Sequence, residues 1–251
     1  MSMPRKICCT VETITDHGGG VYTVDLVPAT AVPSFRAGQF LHLTVDDYDP
    51  AGFWPESRVF SIASSPANRG RIRICYSVKG RYTRKMAAIL KAGSEVWIKL
   101  PYGEFVIDDS SDATLIAGGT GISAFTAFLE ALAPGMRARV LLVYGVRAPA
   151  LLLFRDTILK QLAAVPNFRA VFYYESADGE VVPGAADQPT SPPCFTGRIA
   201  LDPVFRLSAS DDRLKSSIFY LSGPPVMLRA LSADLKSRAV PPDRIRTDAW
   251  E

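Results

Sequence analysis

The run Gly118-Gly119-Thr120-Gly121-Ile122-Ser123-Ala124 carries the spacing G-x-G-x-x-A at Gly119, Gly121 and Ala124. It follows a short apolar run at 114–117 and opens a helical pattern at 122–132. In that setting glycines let the backbone turn sharply and approach a ligand, while the free N–H groups and dipole of the following helix favour negative charge. The chemistry indicated is pyrophosphate binding, set against the plainer reading of a tight turn. A second strand-to-helix turn, Tyr220-Leu221-Ser222-Gly223-Pro224-Pro225-Val226-Met227, has the same logic: Gly223 permits close approach and a proline suits a first helical turn. Two such turns at the carboxyl ends of parallel strands could flank one ligand, or be short connections only. Tyr144-Gly145-Val146-Arg147 stands at the end of the next strand, where a dinucleotide-binding dehydrogenase would carry an acidic residue. An ordinary Rossmann dehydrogenase is therefore not indicated.

In the first half, Arg58-Val59-Phe60-Ser61 sets an arginine, an aromatic and a hydroxyl along one strand, expected to share a face. That face could hold a diphosphate at Arg58, a ring at Phe60 and a heteroaromatic nitrogen or carbonyl at Ser61; a half-buried strand reads the same way. Between Arg69 and Lys85 stand seven basic residues and no acidic one. They suit either a solvated strand edge and helix start or a site for phosphate or an acidic partner protein. His17, beside Asp16, and His42 stand in no carboxylate-and-nucleophile pattern, which points to packing rather than catalysis. Cys8, Cys9, Cys75 and Cys194 form no C-x-x-C or His-assisted pattern, so neither zinc nor a cysteine-bound iron–sulfur cluster is expected.

Two kinds of element must position these residues. Residues 6–107 show short runs punctuated by Gly and Pro, at 21–27, 39–45, 58–63, 72–78 and 95–100, which read as antiparallel strands of a barrel or sandwich. One helix is expected at 83–90, capped by Thr83 and ended by Gly93. After a polar linker at 108–112, strand-like runs at 114–117, 139–144, 170–174 and 217–221 alternate with helical patterns at 122–132, 152–164 and 226–238. That alternation predicts a parallel sheet covered by helices. Residues 176–197, rich in Pro, Gly and Asp, read as an irregular excursion. With 251 residues, a net charge of +3 and no apolar run of 18 residues, the composition describes a soluble globular chain of one large or two small domains. It gives no argument for nucleic acid or for membrane insertion, and a reduced, cytoplasmic setting is expected.

Taken in order, Arg58–Ser61, Tyr76–Thr83, Gly118–Ser123 and Ser222–Met227 resemble the motif series of the ferredoxin–NADP reductase-like superfamily of flavoprotein NAD(P)H oxidoreductases. Phe35-Arg36-Ala37-Gly38-Gln39-Phe40 and Leu100-Pro101-Tyr102-Gly103-Glu104-Phe105 resemble the family's barrel entry and closure. The resemblance implies an antiparallel six-stranded β-barrel flavin domain over residues 1–108, followed by a parallel-sheet, Rossmann-like NAD(P)-binding α/β domain over 109–251.

It further implies that Arg58 contacts the flavin phosphate and that Phe60 and Ser61 lie against the isoalloxazine. Tyr76, Ser77 and Val78 would form the next flavin-binding strand, and Gly80, Tyr82 and Thr83 the phosphate turn. This arrangement favours FAD over FMN. Gly118, Gly119, Thr120 and Gly121 would take the dinucleotide pyrophosphate and ribose, and Gly223 and Met227 would present the nicotinamide. Ser222 stands where many family members carry cysteine. Trp250 would either shield the flavin or dock the tail on the core. Glu175 favours NADH, whereas Arg147 and Arg155 favour NADPH. The implied activity is hydride transfer between NAD(P)H and FAD, with electrons passed to a separate acceptor such as ferredoxin, flavodoxin, an oxygenase component or a small molecule. A free flavin reductase and a non-catalytic flavin- or nucleotide-binding subunit are the competing readings.

Overall fold

The computed structural model describes residues 2–176, 192–207 and 216–248. The chain divides into two compact units, one of Met1–Val106 with Thr126–Phe128, the other of Ile107–Phe125 with Leu129–Glu251.

The first unit is built on β1 (Arg5–Asp16), β2 (Val21–Pro28), β3 (Phe40–Thr44), β4 (Arg58–Ser61), β5 (Ile72–Ser77) and β6 (Glu95–Tyr102). They form one antiparallel sheet in the order β4-β3-β6-β1-β2-β5. Just beyond the strands, Ala63 N–H donates to the Arg73 carbonyl at 2.8 Å and Arg73 N–H to Ser64 Oγ at 3.1 Å. These bonds draw the two sheet edges together into a nearly closed barrel. The pleat explains the filling: Ile7, Cys9 and Val11 of β1 point into the core while Lys6 and Thr10 stay exposed. β1 is long because its first half pairs with β6 and its second with β2, with a register shift between Val11 and Thr13.

Helix α1 (Arg81–Ile89) buries Tyr82 and Met86, one turn apart, in the barrel core. Its start differs from the expectation. Gly80, not Thr83, is the N-cap, and Thr83 lies at the third helical position, where its Oγ1 accepts from the N–H groups of Lys79 (2.9 Å) and Gly80 (3.1 Å). Threonine still caps, but by reaching back one turn.

The second unit follows the order β7 (Ala113–Gly118), α2 (Ser123–Ala131), β8 (Val140–Val146), α3 (Arg155–Ala164), β9 (Phe168–Tyr174), β10 (Cys194–Thr196), α4 (Leu201–Leu207), β11 (Ile218–Ser222), α5 (Pro225–Ser237) and β12 (Ile245–Asp248). Its six strands are parallel, in the order β10-β9-β8-β7-β11-β12. Ile116, Val143, Val171, Phe219 and Leu221 pack with Leu228 and Leu231 of α5. The intervening residues Leu115, Leu142, Tyr144, Phe172 and Tyr220 are buried as well. A central parallel sheet whose strands are apolar on both sides must be covered on both, as the sequence pattern anticipates. Beyond that pattern lie β10, inside the stretch read as irregular, α4, and the edge strand β12. The polar stretch before β7 is anchored rather than loose: the Asp112 carboxylate accepts from Arg139 N–H at 2.7 Å and pairs with its guanidinium at 3.3 Å. Among the described residues no helix is long and apolar enough to cross a membrane.

Gly38 has φ +95°, and a Cβ there would lie 2.4 Å from the Phe105 carbonyl oxygen. Gly38→Ala therefore meets both a forbidden backbone region and fixed backbone, and an expected loss of about 3 kcal/mol should appear as a lowered urea midpoint. An unchanged midpoint would refute the close approach.

Candidate functional site

In the second unit β7 and β11 are neighbours, with Ala117 opposite Ser222, so the two glycine turns leave the sheet side by side. They pack on each other. A Cβ on Gly121 would lie 2.3 Å from the Ser222 carbonyl oxygen and 2.7 Å from the Gly223 nitrogen. One on Gly118 would meet Met227 Sδ at 2.5 Å, and one on Gly223, whose φ is +152°, would meet Met227 Cε at 2.7 Å. Gly119 is different: its φ is +55° and nothing lies within 4 Å of where its Cβ would be. Of these four glycines, Gly119 alone is needed for its conformation while leaving open space, so the open face of the turn is there. A 3₁₀ turn, Gly119–Ile122, leads into α2 and is pinned by Ser123 Oγ donating to the Thr120 carbonyl at 2.8 Å. From below, the buried Tyr144 hydroxyl donates to the Gly119 carbonyl at 3.1 Å and accepts from Leu153 N–H at 3.3 Å.

Ser222 is buried, and its hydroxyl donates to Asp248 Oδ2 at 2.8 Å, across the register pair formed by β11 and β12. Met227 packs its thioether over Gly118 and Gly223. On the other side of β7, Glu175 follows β9 and forms an ion pair with Arg198 at 3.6 Å. The Arg147 carbonyl accepts from both the N–H (2.8 Å) and the Oγ (2.9 Å) of Ser176. The second unit thus brings Gly118–Gly121, Ser222, Gly223, Met227, Arg147 and Glu175 to the carboxyl edge of one sheet. Trp250 lies outside the described residues.

In the first unit the expected shared face does not form. Successive strand residues alternate, so β4 puts Arg58 and Phe60 on one side and Ser61 on the other. Phe60, Tyr76 and Tyr82 belong to the barrel core; Tyr76 stacks on Tyr22 at 5.3 Å, and burial first, then the Tyr22 phenol, push its pKa up to about 12. Tyr82 accepts from Val45 N–H at 3.0 Å, and the Arg58 guanidinium lies 4.7 Å above its ring. Ser77, Val78, Gly80 and Thr83 lie at the partly exposed end of β5 and the start of α1.

A residue the motif reading missed ties this corner together. Glu56 accepts from Arg58 Nη2 at 2.9 Å and from Arg81 Nη2 at 3.0 and 3.1 Å. The basic run is otherwise largely consumed inside the unit, through Arg71 with Glu12, Arg73 with Asp25 and Lys85 with Asp46, while Arg69 Nε donates to the Val32 carbonyl at 2.6 Å. The acidic partners sit far away in sequence, which is why the run looked unbalanced.

Residues 115–233 match the family model of the oxidoreductase NAD-binding domain. A Deinococcus radiodurans flavohemoprotein is 26% identical over 232 residues, 91% of this chain and 55% of that protein. The reductase component of Mycolicibacterium smegmatis propane 2-monooxygenase is 27% identical, over 86% of this chain and 59% of that protein. The chain therefore spans under two thirds of the length of these relatives. Among solved structures, the Amycolatopsis cytochrome P450 reductase GcoB superposes with a TM-score of 0.77 at 25% identity, covering 98% of this chain and 70% of that one. The chain shares the two-unit fold of ferredoxin reductase-like flavoprotein reductases, and residues 115–233 are similar to an oxidoreductase NAD-binding domain.

The residues present fit a flavin and a nicotinamide dinucleotide. Two guanidiniums converging on the Glu56 carboxylate make a corner of the barrel that already accepts an anion, and Gly119 gives the second unit an open turn ahead of a helix. Because Gly121 abuts backbone and Gly119 abuts nothing, the two respond differently to alanine. Gly119→Ala is expected to cost about 1 kcal/mol, for its positive φ alone, and Gly121→Ala about 3 kcal/mol or more through collision of the two turns. Denaturant melts of both variants decide this, and equal losses would contradict turn-on-turn packing.

Proposed function

We propose that the chain is an NAD(P)H-dependent flavoprotein reductase, residues 1–108 binding FAD and residues 109–251 the nicotinamide dinucleotide. The observation that carries this reading is the pair of glycine turns packed together at adjacent strand ends of a parallel sheet. The hydride chemistry is supplied by the bound flavin and dinucleotide themselves. The protein's share is placement. Gly119 opens the turn for a pyrophosphate, Thr120 lies beside it, and Gly223 with Met227 shapes the neighbouring turn. Arg58 and Arg81 offer cationic donors for the flavin diphosphate, with Ser77, Val78, Gly80 and Thr83 alongside. Ser61 is the candidate contact for the flavin ring within the first unit and Ser222 the candidate neighbour of the nicotinamide within the second, while Trp250, outside the described residues, is a candidate flavin shield on the sequence resemblance alone.

No histidine is poised to move a proton. His17 Nε2 is hydrogen-bonded to Thr23 Oγ1 at 2.9 Å, and burial lowers its pKa; burial and then Lys99 lower that of His42. Burial thus favours the neutral form of both imidazoles. Electrons would leave to a separate acceptor, for which ferredoxin, flavodoxin and an oxygenase component are the candidate classes, in the cytoplasm. Both relatives above are longer than this chain, and one is a reductase component of an oxygenase, which supports an acceptor outside these residues.

A second reading is favoured by one contact. Glu56 holds both arginines that a flavin diphosphate would use, so the diphosphate has to displace a carboxylate. Loose flavin binding, as in a free flavin reductase, would follow.

Anaerobic titration of the FAD-loaded protein with NADH, and separately with NADPH, should bleach the visible flavin band; no bleaching with flavin demonstrably bound would leave a binding module instead. Glu56→Gln should tighten FAD binding to the apoprotein about tenfold by removing the competing charge. An unchanged or weaker FAD affinity, measured by quenching of flavin fluorescence, would remove the case for the second reading.

A further inference from the structure

The strand order fixes which way a dinucleotide runs if its pyrophosphate lies on the turn after β7. The β11 turn, with Gly223 and Met227, stands on one side of β7. The other half of the ligand then extends over the ends of β8 and β9 on the opposite side. That edge is well built. Glu175 N–H donates to the Val146 carbonyl at 3.0 Å, Ser176 N–H to the Arg147 carbonyl at 2.8 Å, and Gly197 N–H to the Tyr174 carbonyl at 2.7 Å. Gly145 of β8 makes room for the segment after β10, since a Cβ there would lie 2.7 Å from Ile199 Cγ1. The glycine thereby seats Arg198, next to Ile199, at the strand ends, where it meets Glu175.

The Glu175–Arg198 pair is exposed and long, at 3.6 Å, with side-chain exposures of 47% and 84%. Such pairs contribute little to stability, so their arrangement is free to answer to a ligand. The two members would treat a ribose in opposite ways. A carboxylate accepts hydrogen bonds from a ribose hydroxyl and repels a phosphate, whereas a guanidinium recognises a phosphate with two parallel bonds. Arg147, exposed on the neighbouring strand end, adds a second positive charge.

We propose that Glu175 and Arg198 together set dinucleotide choice: Glu175 selects the unphosphorylated adenosine ribose and holds Arg198, which becomes a 2′-phosphate anchor once that carboxylate is removed. This rests on the reading that the edge binds a dinucleotide, and it deepens that reading by naming the specificity residues. The motif reading weighed Glu175 against Arg147 and Arg155. Arg198, brought in across 22 residues of intervening sequence, is the cation that faces the carboxylate among the described residues.

Equilibrium binding to the full-length, FAD-loaded protein tests it without turnover, using NAD⁺ and 2′,5′-ADP as probes in calorimetric titrations. Wild-type protein should prefer NAD⁺. Glu175→Gln should bind 2′,5′-ADP about tenfold more tightly than wild type and NAD⁺ more weakly, and adding Arg198→Gln should abolish the gain for phosphate. A Glu175→Gln protein that still binds NAD⁺ with unchanged affinity for 2′,5′-ADP would overturn the inference alone, as would a gain that survives Arg198→Gln. Failure of both probes to bind any of the three proteins would overturn the dinucleotide reading of the edge, and this inference with it.

Discussion

Backbone-to-backbone contact between the two turns that leave β7 and β11 is the constraint on which the second unit depends. Parallel pairing of Ala117 with Ser222 brings the turns out at the same level. No side chain fits between Gly121 and the Ser222 carbonyl, nor between Gly118 and Gly223. The flexible thioether of Met227 fills the remaining space, as suits an unbranched, adaptable side chain. With the turns locked together, the Tyr144 hydroxyl can hold the Gly119 carbonyl from beneath, and the open face of the turn acquires a fixed position. Glycine here has two separate physical uses: close packing at Gly118, Gly121 and Gly223, and a positive φ beside open space at Gly119.

Charge in the first unit follows a related logic of contacts distant in sequence. Asp25 is buried and receives Arg73 Nε at 2.9 Å and the Thr13 hydroxyl at 3.1 Å. A buried carboxylate without such donors would be costly, so Arg73 has a structural duty that its place in a basic run conceals. The more exposed pairs, Arg81 with Glu56 and Lys85 with Asp46, are weak individually. Weakness is useful around Glu56, because a pair that contributes little can exchange one anion for another.

Elements with several buried residues at a regular period were legible in the sequence: β2, β5, β7, β8, β9, α2 and α5 lie within a few residues of where the pattern put them. Apart from β1, whose buried Ile7, Cys9 and Val11 alternate with more exposed residues, what escaped was short or set by partners. β10 and β12 have three and four residues, too few to show a period, and exist because β9 and β11 offer an unpaired edge. The positions of Phe60 and Ser61 on opposite faces were available from strand alternation, but the motif was read as a unit. Glu56, Arg198, Tyr144 and Asp248 had no local signature, since each acts through a partner that only the fold brings near.

Ser222 shows how such a partner changes the meaning of a residue. Judged alone, serine where the resembled reductases often carry cysteine is a smaller, less polarizable group. Its neighbour across the register is a buried carboxylate, and the two are 2.8 Å apart. A hydroxyl is a far better donor to a carboxylate than a thiol, and a charge-assisted bond of this kind is stronger than a neutral one. Serine at position 222 and aspartate at position 248 are therefore chemically matched. The hydroxyl is directed to the β12 side, away from any role as a free donor toward a ligand, and Ser222 acts first by tying the end of β11, where the Gly223 turn begins, to the edge strand beside it.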